Sequence, residues 1–188
     1  MRERGFTLVE LAIVMVIIAL LVGGVLVGRD LIAQAAIRGA AMELAKYNAA
    51  ATAFRAKYKA LPGDFGTAQA SHYNFAARSG GFGRGDINGL IQSNGSVAQG
   101  LWGETMLFWR DLSQANMISA AFSTATDNGT VSALALTDLP NYIPSSRISN
   151  AAFLHLYSQQ GRHYYLMAAI TDSAANTSAL TYGNGLNP

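Results

Sequence analysis

The chain has 188 residues and no cysteine, is 51% hydrophobic and only 13% charged, and carries a formal net charge of +2. That length is enough for one domain whose core needs no disulfide staples, plus additional elements. The missing cysteine excludes thiol nucleophiles and zinc–thiolate sites, and so small a net charge does not point to nucleic acid or an acidic substrate.

The chain opens "MRERGFTLVELAIVMVIIALLVGGVLVG", with an uncharged run from Leu11 to Gly28. A run of ~17–25 apolar residues suffices to cross a bilayer as a helix. Arg2 and Arg4 precede the run, whereas Arg29 and Asp30 after it cancel. The positive-inside tendency then keeps the start in the cytoplasm and exports the rest. A secretory signal peptide is the competing reading, and "AQA" at Ala33 to Ala35 matches a small-x-small cut. Against it, the run exceeds the usual ~7–15-residue apolar region, and Arg29 and Asp30 stand before the cut.

Neither an ordinary anchor nor a signal peptide explains Glu10, which stands at the edge of the run. An acid in hydrocarbon costs roughly 2.5–3.5 kcal/mol at the midplane, less near the edge, and calls for a partner. "RGFTLVEL", Arg4 to Leu11, resembles the cleavage and methylation motif of type IV prepilins and type II secretion pseudopilins. The resemblance implies that a membrane prepilin peptidase cuts between Gly5 and Phe6 and N-methylates Phe6. It also implies that Glu10 lies beside that amine on an adjoining subunit of a filament. The electrostatics fit, because a buried carboxylate without a partner is strongly destabilising and a paired one is not. Pairing within one helix, as an i, i+4 couple, remains open beside pairing between subunits.

Beyond the run, Ile37, Ala40, Leu44, Tyr47, Ala51, Phe54, Tyr58 and Leu61 follow spacings of three and four. That is an apolar helical seam, and Arg38, Glu43, Lys46, Arg55, Lys57 and Lys59 all fall off it. "LPGD" at Leu61 to Asp64 ends the helix, since Pro62 disfavours helical geometry at the residue before it. A helix from Phe6 to Leu61 would be ~84 Å long, more than a soluble domain of this size needs. Many family members have a proline in the first half of this helix, and this chain has none. Gly23, Gly24 and Gly28 either mark a bend or permit close helix packing.

Residues 62–100 are rich in Gly, Asn and Ser, densest at "SGGFGRGDINGL", which is loop chemistry. "ETMLFWRDLSQANMI" predicts a short helix with Phe108, Leu112 and Ala115 on one face, and Glu104 in its first turn suits the helix dipole. "TVSALAL", "AAFLHLY" and "HYYLMAAIT" predict three strands of period two, the last two joined as a hairpin through "SQQGR". The expected fold class is α+β: a long N-terminal helix, transmembrane in its first half and amphipathic in its second, packed on a small antiparallel sheet. Pilins resemble this architecture. The expected organisation is a leader at 1–5, a transmembrane and filament-core helix at 6–28 and an amphipathic helix half at 29–61. An exported globular domain follows at 62–188, with its Gly/Asn-rich loop at about 79–100. "YKALPGD", "GDINGLI" and "ETMLFWRDLSQANMI" are further similar to segments of a subgroup of prepilin-like proteins whose chains often continue beyond "YGNGLNP". This chain is therefore either short by nature or a fragment. The C-terminal disulfide loop common in major pilins cannot form in it.

"GDINGL" sets Asp86, Asn88 and the Leu90 carbonyl at alternate positions, as at the start of a calcium loop. An EF-hand would want glutamate near position 97, which is Val97, so an Asn/Gly turn is the favoured reading and no cofactor is expected. Some pseudopilins hold calcium in a loop of this domain, and Asp64 or Glu104 would have to complete such a site by tertiary contact. His72, His155 and His163 are scattered, without HExxH spacing, and there is no GxSxG elbow. The glycines at 80, 81, 83 and 85 neither follow a clear strand nor open a helix, so they make no nucleotide loop. Trp102, Trp109, Tyr164 and Tyr165 are read as core rather than as stacking platforms.

The sequence reads as a non-enzymatic structural subunit, a minor pilin, of a type IV pilus-like filament assembled from the bacterial inner membrane. The resemblance implies as partners a prepilin peptidase, other pilin or pseudopilin subunits, an inner-membrane platform protein and an assembly ATPase. The expected location is single-pass with a periplasmic C-terminal domain, then the filament. A pseudopilin of a type II secretion system is the close alternative. A membrane-anchored binding module that does not polymerise is the alternative of another class.

Overall fold

The computed structural model describes residues 7–93, 103–126, 136–148, 152–172 and 181–182. Its dominant element is α1, Leu8–Tyr58, an unbroken helix of 51 residues, ~76 Å long at 1.5 Å per residue. It begins and ends inside the expected bounds of Phe6 and Leu61. Thr7 is the N-cap in extended geometry, and Lys59 leaves the helix in the left-handed region (φ 61) with its N–H still bonded to the Arg55 carbonyl. The turn that Pro62 enforces at Leu61 is thus prepared two residues earlier. Gly23, Gly24 and Gly28 are helical, and a side chain at any of them would meet open space.

The helix has two faces of life. From Thr7 to Val27 every residue is exposed, including Leu8 at 87% and Leu20 at 71%. From Ala40 onward the predicted seam holds: Ala40, Tyr47, Phe54 and Tyr58 are buried, with Leu44 and Ala51 partly so. Ile37, the first seam position, is exposed because the globular part begins only beyond it.

The globular part packs α1 against α3, Glu104–Gln114, and α3 in turn against β1 of a sheet of order β1–β2–β3. β1 (Ala152–Gln159) and β2 (Arg162–Asp172) form an antiparallel hairpin, in register from Ala152 opposite Ala169 to Gln159 opposite Arg162. Gln160 and Gly161 close it with φ of 51° and 76°, the left-handed pair of a type I′ turn. β3 is short, Thr181–Tyr182, and pairs antiparallel with the end of β2. The α+β architecture is therefore present. β1 departs from a half-buried period-two strand, since five consecutive residues from Ala152 are buried. The strand lies inside the fold, not on its surface.

Of the predicted strand "TVSALAL", residues 130–135 lie outside the described residues, and Leu136 instead opens a 3-10 helix, Leu136–Asn141. Within the predicted loop sits one short helix, α2, Thr67–His72. The core joins Phe54, Phe65, Phe108, Trp109, Leu112, Leu139, Ile143 and Leu154, and Trp109 meets Tyr47 edge-on at 4.9 Å. Trp109 is core, as read, but Tyr164 is 41% exposed because it points off the hairpin; Trp102 lies outside the described residues.

Candidate functional site

Two regions gather chemistry. At the N-terminus, Gly5 and Phe6 lie outside the described residues, and Glu10 stands in the first turn of α1. Its Oε2 accepts the Thr7 backbone N–H and hydroxyl, both at 2.9 Å, while the Glu10 N–H donates to Thr7 Oγ1 at 3.3 Å. This is a reciprocal capping box, which satisfies two orphan donors at the helix start. Sequence reasoning passed over it, although T-x-x-E before an apolar run is its signature. Glu10 thus has a local partner within one chain, and the apolar surface that follows it has none among the described residues.

The second region grows from α3. Glu104 and Asp111 are seven residues apart and so share one helix face, and both are fully buried. They hold the irregular segment that follows α1. Glu104 Oε1 accepts the N–H groups of Gly85 (2.8 Å) and Asp86 (3.4 Å), and Oε2 accepts that of Gln92 (3.0 Å). Asp64 accepts the Asn88 and Gly89 N–H groups at 3.2 and 2.7 Å. The two glycines that frame this cradle are obligatory. A Cβ on Gly63 (φ 88) would fall 2.5 Å from the Glu104 carbonyl oxygen, and one on Gly85 (φ 79) 2.4 Å from that of Phe65.

One oxygen from each of Asp64, Asp86 and Glu104 lies within 4.8 Å of the others. These are the residues that could hold a divalent cation, as hard oxygen ligands. The trio differs from the set read from sequence spacing. Asp86 is in it, but Asn88 and Leu90 serve the turn: Asp86 accepts the Asn88 N–H at 3.2 Å, and Asn88 Oδ1 accepts the Leu90 N–H at 2.8 Å. Alternate spacing here builds two successive Asx turns, while Asp64 and Glu104 arrive by tertiary contact. The histidines stay apart: His72 in α2, His155 buried in β1, and His163 exposed with Nδ1 2.7 Å from Ser158 Oγ.

Burial pushes Glu104 up to about 8 and Asp64 up to about 6, against the pull of the backbone donors. Both folded-state values exceed the ordinary carboxylate range, so the folded chain retains protons that the unfolded chain has released. The corresponding stability is complete below about pH 4 and drains away as pH rises through about 6 and then about 8. Thermal melting of the full chain in detergent should show a midpoint that falls across this window, and Glu104→Gln should flatten its upper half. A midpoint that rises steadily through the same window contradicts this electrostatic account.

Residues 1–26 match the family described as the prokaryotic N-terminal methylation motif. The chain carries a prepilin-type N-terminus. That motif marks pilin-like structural proteins and implies processing by a prepilin peptidase and assembly with other pilin subunits. The prepilin motif covers the segment whose helix is long and apolar enough to cross a membrane, which is consistent with anchoring in the inner membrane. Neither a curated protein nor a solved structure matches the chain.

Proposed function

We propose that this protein is a non-catalytic, pilin-like subunit of a type IV pilus-like filament. The observation that carries the proposal is the prepilin motif matched at residues 1–26, together with a helix that is exposed at every residue from Leu8 to Val27. A bare apolar helix of that length has two environments that cover it: lipid before assembly and other helices after it. In this reading residues 1–5 are the leader, Phe6 becomes the methylated first residue, and the domain from 62 onward is exported. Cleavage leaves Thr7 in place, so the capping box outlives processing. The new amine is one residue from it, and in a packed fibre Glu10 sits beside such an amine on an adjoining subunit. A prepilin peptidase, a platform protein and an assembly ATPase would do the work.

The second reading, a type II secretion pseudopilin, is favoured by one feature. Three carboxylates, of Asp64, Asp86 and Glu104, converge in the globular domain, and some pseudopilins hold calcium in a loop of that domain.

Glu10→Ala should be cleaved normally yet enter sheared fibres poorly. Thr7→Ala is the discriminating control, because it removes the hydroxyl of the cap and keeps the carboxylate. Loss of a cap alone costs ~0.5–2 kcal/mol of helix stability. If Thr7→Ala enters fibres normally and Glu10→Ala does not, the carboxylate acts between subunits. Normal entry of Glu10→Ala would contradict the proposal.

A further inference from the structure

Arg29 and Asp30 are the only charged residues between Glu10 and Arg38, and both are exposed. On a helix, partners lie three or four residues away. For Arg29 these are Val25, Leu26, Ile32 and Ala33, and for Asp30 they are Leu26, Val27, Ala33 and Gln34. Neither charge has an intrahelical partner, and neither makes an ion pair among the described residues. Around them Val27, Leu31 and Ile32 are exposed by 60% or more. When that apolar surface is covered, the two charges lose their water and each needs a counter-charge.

A cleft of about 380 Å³ offers the complement. It lies where α1 enters the globular part, between Glu43, Lys46 and Tyr47 on one side and Ser119 and Arg147 on the other. Glu43 spends Oε1 on the Tyr47 hydroxyl at 3.1 Å, and its Oε2 is buried without a partner. Lys46 Nζ reaches only Ser119 Oγ, at 3.4 Å. The Arg147 stem packs where a Gly39 side chain would be, 3.4 Å away, and its guanidinium makes no ion pair among the described residues. The cleft thus offers one acid and two bases, and Lys46 and Arg147 are exposed at it.

Resting on the filament reading above, we infer that this cleft receives the Arg29–Asp30 pair of a second copy of the chain. Arg29 meets Glu43, and Asp30 meets Lys46 and Arg147. The occupant cannot be the same copy. Asp30 and Lys46 are ~24 Å apart along one straight helix at 1.5 Å per residue. The contact joins two different patches, so it is heterologous and repeats without closing, as a fibre requires. It sets neighbouring parallel helices at an axial stagger of ~21–24 Å.

The test uses the unmodified chain in sheared fibres, treated with a zero-length carbodiimide and digested. An isopeptide joining Asp30 to Lys46 is expected, and the ~24 Å separation within one copy makes it a link between copies. As a second variant, Asp30→Cys with Lys46→Cys in this cysteine-free chain should give an oxidant-dependent ladder, since a disulfide needs Cα atoms within ~7 Å. Each single variant should give no ladder beyond dimer. Fibres that form without either link overturn this inference and leave the filament reading standing. Failure of the unmodified chain to form fibres at all overturns both. A link from Asp30 to a polypeptide of another sequence overturns the assignment to a second copy.

Discussion

Replacing Asp111 with alanine should lower the stability of the globular domain by about 3–5 kcal/mol, the cost of stranding one member of a buried ion pair. Asp111 pairs with Arg78, and both side chains are fully shielded from solvent. Its second oxygen accepts the Gly63 N–H at 2.6 Å, and Arg78 also donates to the Phe65 carbonyl at 3.1 Å. Burial pushes the Asp111 carboxyl up while the adjacent guanidinium pulls it back. Removal of the carboxylate leaves a buried cation and an orphaned N–H, and the guanidinium cannot shed its proton to escape. Denaturant unfolding of the full chain in detergent measures the loss. The pair's net worth is a separate quantity, because apolar residues of similar volume often replace a buried pair at little cost. Arg78→Met combined with Asp111→Leu should therefore recover most of what Asp111→Ala loses. If the single variant costs under 1 kcal/mol, the pair does not anchor the loop.

How much of this was legible in the sequence differs between the two halves of the molecule. Along α1 the period of the apolar residues predicted both the membrane-length stretch and the seam, because a helix's environment is written locally at 3.6 residues per turn. The hairpin was legible for a similar reason: its strands are adjacent in sequence, and Gln160–Gly161 supplies the left-handed turn. The acidic hub was not. Glu104 looked like a dipole-compensating residue, yet it is fully buried and bonded to a loop 12 to 19 residues earlier. No motif marks Asp111 or Arg78 as a site, although an acid seven residues after Glu104 inside "MLFWRDL" signals a buried face. Their roles depend on contacts across 33 residues, which periodicity does not encode. Which oxygens gather around "GDINGL" was not legible for a related reason. Asp-x-Asn spacing is the pattern of an Asx turn as much as of a ligand loop, and only the fold shows which oxygens face one another.

The second large effect concerns processing, where the outcome is all or none. The leader of this proposal is short and charged, with Arg2, Glu3 and Arg4 in its five residues. While it is attached, the chain's amine is that of Met1, separated in sequence from Phe6 by three charges. In the proposed processing, cleavage after Gly5 would move the positive charge to the head of the apolar helix, four residues from the carboxylate, where it can neutralise Glu10 in a packed bundle. Gly5→Leu should keep the leader on and leave the chain in the membrane fraction. Its level there should match the unaltered protein, since nothing in the globular domain changes.

Intact-mass and N-terminal peptide analysis of the protein recovered from its own cells reads this step directly. A mature chain that begins at Phe6 and carries one added methyl group is the predicted result. A mature chain that still begins at Met1, or one cut after Ala35 as a signal peptide would be, contradicts it.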